Sequence, residues 1–151
     1  MTSFYSILLS LHSWTRWLVL ISFLITLFIV FKDKFQFNSL QESTKKFLKI
    51  AMILGDIQFT LGITLLFYSP ITIAASENMK AAMKVKDLRF FIAEHPFSMI
   101  LFWIFLHVAV VIAKKDRPEP KKINLILGFY VLALLCLMGG MPWFRPLYRF
   151  F

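Results

Sequence analysis

Three histidines, one arginine and one aspartate stand inside stretches of the chain that are otherwise free of charge. Arg16 is the only charged residue between Met1 and Phe31, and Asp56 the only one between Ile50 and Ser76. His95–Ala113, which includes His107, and Ile123–Phe144 contain no Asp, Glu, Lys or Arg. Polar groups kept in hydrocarbon are expensive and usually functional, so His12, Arg16, Asp56, His95 and His107 are where chemistry is sought. Neutral imidazole nitrogens are good axial ligands for haem iron. They would serve equally as two ligands to copper or as a quinol-binding pair. Read alone, each histidine is as well explained by hydrogen bonding to water, a headgroup or a backbone carbonyl.

Spacing adds to this. At 1.5 Å rise per residue, His12 lies about 9 Å and His95 about 8 Å below the same face of the membrane, on different helices. One iron held from both sides would need such a pairing. Arg16 follows His12 by four residues and shares its helix face, where a cation suits a haem propionate or an anionic intermediate. Asp56 lies about 15 Å into its span, near the depth of Arg16. An Arg16–Asp56 ion pair is the expected way to neutralise both in the bundle. Glu94 sits nearer the surface, directly before His95. His107 is about 18 Å further along from His95. With three histidines in the whole chain, a second bis-histidine haem in one protomer is excluded. Met52 is at a depth to complete a His–Met pair with His107, but reads as packing. His107 is left to relay protons or to snorkel toward the interface.

The elements that position these residues are membrane helices. A spanning helix needs about 20 mostly apolar residues, and four such segments are predicted, over 6–31, 46–68, 90–113 and 122–141. The fold class is all-α, an integral-membrane four-helix bundle forming a single domain over 1–151. A chain that is 59% hydrophobic is no ordinary soluble domain. The net charge of +9 comes from loop lysines and arginines beside the spans, which read as topology signals and lipid contacts rather than nucleic-acid binding. The N-terminal stretch lacks the basic region and cleavage site of a signal peptide, so it is expected to remain as the first span.

Loops one and three, with the adjoining span ends, carry ten Lys and Arg against six on the other face, Lys80, Lys84, Lys86, Arg89, Arg145 and Arg149. The positive-inside rule then turns loops one and three to the cytoplasm and both termini to the outer side. Phe4, Tyr5, Phe67, Tyr68, Phe90, Phe91, Trp143 and Phe144 fall at that outer interface as aromatic anchors. Helically spaced Met79, Ala82 and Met83 suggest a short interfacial helix in loop two, with a polar loop as the alternative. The prolines of Lys114–Lys121 force a hairpin. Gly55 and Gly62 permit close helix approach, and Gln58 is expected to hydrogen-bond between helices. The single cysteine, Cys136, reads as a packing thiol. No nucleophile-elbow, phosphate-loop, dinucleotide or zinc-protease motif occurs.

Three segments carry a resemblance: Leu11-His12-Ser13-Trp14-Thr15-Arg16-Trp17-Leu18; Gln58 with Gly62 and Tyr68-Ser69-Pro70; and Arg89-Phe90-Phe91-Ile92-Ala93-Glu94-His95-Pro96. With Pro142-Trp143, the chain resembles small bacterial four-helix inner-membrane proteins loosely described as cytochrome b. The resemblance implies His12 and His95 as ligands of a haem b, with Arg16 and Glu94 beside them. The family pattern commonly has a second-span histidine where this chain has Asp56.

Two functions are therefore expected in parallel. One is a b-type haem protein exchanging electrons with quinone or a partner redox protein, its potential tuned by Arg16 and Glu94. The other is a non-catalytic membrane subunit or assembly factor, alone or as a homo-oligomer, whose polar residues are interhelical and partner contacts. A porphyrin or quinol oxidase and a proton or metal transporter are further readings.

Overall fold

The computed structural model describes residues 2–143. Phe144, Arg145 and Arg149, counted above at the outer face, lie outside the described residues. The elements run α1 (Thr2–Gln36), α2 (Glu42–Tyr68), α3 (Pro70–Glu77), α4 (Met79–Ala82), α5 (Lys86–Arg89), a π-helical turn (Phe90–Glu94), α6 (His95–Lys114) and α7 (Glu119–Gly140). Among the described residues there is no strand. Four helical stretches are long and apolar enough to cross a membrane: Phe4–Gln36, Glu42–Tyr68, Lys86–Lys114 and Glu119–Gly140. The chain is an all-α protein of multi-pass membrane type.

The long helices close a ring, with α1 against α2 and α7, and α6 against α2 and α7. Inside it, Phe23 stacks face to face on Tyr130 with ring centres 5.0 Å apart, and meets Phe102 edge-on at 5.5 Å. Leu48, Leu106, Ile123 and Ile126 complete this fully buried layer. Large apolar side chains also point outward on every long helix; Phe28, Phe67 and Leu135 are each more than 60% exposed. Water would not tolerate so continuous an apolar surface, whereas lipid tails cover it without cost.

Breakers and caps set the helix ends. No glycine or proline interrupts Thr2–Gln36, so α1 runs five residues beyond the apolar stretch and shortens the first connection to 37–41. Asn38 turns the chain there with a φ of 49°, a left-handed conformation that Asn tolerates. Asp33, which hydropathy alone assigns to the loop, is buried. Its Oδ2 accepts from the Thr44 hydroxyl at 2.6 Å and from the Gln41 amide at 2.9 Å, tying α1 to the start of α2. Glu119 accepts from the Leu40 amide at 3.0 Å and so pins loop one to loop three. Ser69 is extended because Pro70 follows it, and its Oγ accepts from the Ile71 amide to start α3.

Loop two is thus more helical than a single interfacial segment. It contains α3, α4 and α5, with Ala75 and Ala82 buried and Met79 and Met83 exposed. At the same end of the bundle, Phe4 and Tyr68 join the start of α1 to the end of α2, with ring centres 5.4 Å apart.

Candidate functional site

His95 opens α6 directly after the π-helical turn, and its amide donates to the carbonyl of Phe90, five residues back. One over-wide turn rotates everything after it relative to α5, and Pro96 has no N–H with which to restore the ordinary ladder. The rotation lets the His95 ring reach the end of α7. There its Nδ1 lies 2.6 Å from the Gly140 carbonyl. A carbonyl can only accept, so Nδ1 carries a proton, and in the neutral ring Nε2 keeps its lone pair. Gly140 makes this approach feasible. A Cβ at this position would sit 2.7 Å from Ser98 Cβ and would press on Met99 Cε.

His12 comes from the third turn of α1 and packs against the bare backbone of α2 at Gly62. A Cβ on Gly62 would lie 3.2 Å from His12 Cε1. Gln58, one turn earlier on α2, donates from Nε2 to the His12 carbonyl at 3.0 Å, and the same nitrogen lies 3.3 Å from His12 Nε2. The Thr15 hydroxyl contacts Gln58 Oε1 and orients the amide. His12 Nδ1 is buried with no hydrogen-bond partner.

The two imidazoles meet across the bundle, with ring centres 6.4 Å apart and planes at 81°. They line a cavity of about 320 Å³ together with Arg16, Gln58, Phe59, Phe91, Met99, Phe102 and Trp103. Ile71 and Thr72 of α3 line it as well. Its wall is apolar apart from these few convergent polar groups, as in small-molecule sites generally.

A haem can be tested against this donor set. His95 from α6 and His12 from α1 would hold the group between them, their ring centres 6.4 Å apart. The carbonyl-held Nδ1–H of His95 is the usual outer contact of a ligating histidine. His12 would exchange its contact with the Gln58 amide for a ligand, and Arg16 is the cavity cation suited to a carboxylate. The residues fit the group. Among the described residues, no three His, Cys, Asp or Glu side chains gather as a metal site would require, so a free-ion site of three or more such ligands is not assembled.

Two expected partners lie elsewhere. Glu94 is outside the cavity lining and pairs with Arg89 at 2.6 Å, both side chains nearly half exposed. Asp56 takes its partners from α6 rather than from Arg16. Trp103 Nε1 donates to Asp56 Oδ1 at 2.7 Å, and His107 Nε2 lies 3.3 Å from the same oxygen. The Arg16–Asp56 pair of the sequence reading is replaced because residue 56 points toward α6 and Arg16 toward the histidine cavity. Depth along two helices says nothing about their rotation. Trp103 was unmarked in the sequence, although it stands one turn before His107 and so shares its face. No protein-family model, curated protein or solved structure matches the chain.

Proposed function

We propose that the protein is a small b-type haem protein of the bacterial inner membrane, with both termini on the outer side. It would exchange electrons with quinone or with a membrane redox partner. The observation that carries this reading is the facing pair His12–His95, 6.4 Å apart on α1 and α6 at one end of the bundle. Haem, when bound, supplies a one-electron couple. The chain's residues do the rest. His95 is held in one tautomer by Gly140, and His12 is steered by Gln58. Arg16 offers a positive charge to a carboxylate within the cavity. The apolar wall excludes water, which strengthens each of these electrostatic contacts. The resemblance to proteins described as cytochrome b supports the same reading. With Glu94 tied to Arg89, charge tuning of the site falls to Arg16.

The test is a reduced-minus-oxidised visible spectrum of the protein purified in mild detergent from haem-supplied cells, with a haem assay. A stoichiometric b-type spectrum is expected, lost in both His12→Ala and His95→Ala while helicity is retained. A colourless, folded wild-type protein would overturn it. That result would favour the second reading, a non-catalytic membrane subunit. One observation already leans that way: the Asp56 and His107 side chains are 41% and 32% exposed at the bundle surface, where a partner helix could meet them.

A further inference from the structure

Asp56 and His107, which do not line the histidine cavity, form a second polar cluster on the α2–α6 seam, joined to the cavity wall by Trp103. Its hydrogen bonds can be counted. The His107 Nδ1 lies 2.9 Å from the Trp103 carbonyl. That oxygen has no proton to give, so Nδ1 carries one. The Trp103 indole N–H is a donor only and is directed at Asp56 Oδ1, 2.7 Å away. His107 Nε2 faces that same oxygen at 3.3 Å. With Nδ1 already protonated, a neutral ring presents a bare lone pair at Nε2, and an ionised carboxylate presents another. Two acceptors at this distance repel. One proton between them removes the conflict, and it has two resting places: imidazolium against carboxylate, or imidazole against carboxylic acid.

We propose that Asp56 and His107 form a one-proton binding site within the membrane. The pair is neutral overall in either placement of the proton, which is the charge state hydrocarbon penalises least. The Trp103 indole stacks on Phe59 with ring centres 4.9 Å apart, and its carbonyl and N–H hold the two proton-sharing groups in place. His107 opens onto an apolar groove along α6 that passes Val108 and Val111 and ends at Lys115, about 12 Å away at helical rise. Away from the helix ends, the other ionisable groups on the packed helices are His12 and Arg16 of α1, which line the histidine cavity with Trp103, and Tyr130 and Cys136 of α7. His95 opens α6, and the remaining lysines and acids stand near the helix ends. The proposal does not depend on haem, since it rests on donor counting alone.

The test is nitrogen NMR of the full chain in lipid bilayers with ¹⁵N-labelled histidine, His107 being assigned by its loss in His107→Gln. The expected wild-type signature is a protonated Nδ1 with Nε2 intermediate between protonated and bare. In Asp56→Asn the oxygen that accepts from Trp103 has no proton to share, so Nε2 should become fully bare while Nδ1 is unchanged. A second readout needs no variant: dicyclohexylcarbodiimide, which reaches protonated carboxyls from the lipid, should modify Asp56 as detected by peptide mass spectrometry. A bare wild-type Nε2, or an Nδ1 without its proton, would overturn the proposal. So would an Asp56 that resists the carbodiimide while Nε2 stays fully protonated, because the pair would then be a fixed ion pair.

Discussion

At the residue scale, Gln58 does more than its type suggests. A glutamine on a membrane helix is by default interhelical glue. Here one amide spans α1 and α2 and, through the His12 carbonyl, sets the position of the residue proposed to ligate. Interhelical hydrogen bonds in membranes are worth about 0.6 kcal/mol on average and under about 2 kcal/mol at most. Gln58→Leu should therefore lower thermal stability in detergent only modestly, by about 1 kcal/mol. The loss of haem on mild heating should rise much more, since the α1 backbone at His12 loses the bond that fixes it against α2. Equal, small losses in both measurements would show that Gln58 is packing and nothing else.

At the element scale, two backbone devices bring α6 and α7 to the site. The π-helical turn before His95 rotates α6, and Gly140 lets the last turn of α7 close on Ser98 and Met99. A methyl group at position 140 must push these helices apart, and overpacking of this kind costs about 1–3 kcal/mol. Position 139 faces open space, with nothing within 4 Å of a Cβ. Gly140→Ala should thus lose stability and perturb the His95 environment, whereas Gly139→Ala should be neutral or slightly stabilising, as alanine is the better helix former. Thermal unfolding of the two variants side by side decides it. The opposite end of the bundle is held differently, by Asp33 and Glu119 accepting hydrogen bonds from the first connection and the start of α2.

At the scale of the whole molecule, charge distribution orients the bundle. The ten basic residues at loops one and three outnumber those opposite, and the topology proposed from the positive-inside rule has those loops in the cytoplasm. In a Cys136→Ser background, Asp116→Cys should be shielded in intact spheroplasts from a membrane-impermeant maleimide. Glu77→Cys, in the α3 connection, should react. The reverse pattern would invert the topology and put the proposed haem site near the cytoplasmic face. The exposed Asp56–His107 pair also belongs to this scale, because it is where the bundle surface departs from a plain lipid-facing coat.

The sequence by itself determined the all-α class and the four spans, because twenty uncharged apolar residues in a row have few other fates. It also singled out the five ionisable residues inside them, since their cost in hydrocarbon makes them conspicuous. Span ends came through less well. α1 continues to Gln36 because helix propensity and a buried Asp33 outlast the apolar run. Pairing was the part only tertiary structure decided. Depth follows from counting residues, but the direction a side chain faces depends on how each helix is rotated against its neighbours. That rotation is set by Gly55, Gly62 and Gly140 at close approaches and by the π-helical turn at His95. It brings His12 to His95 and Asp56 to Trp103 and His107, a choice made by small residues and one extra residue in a helical turn rather than by the ionisable groups themselves.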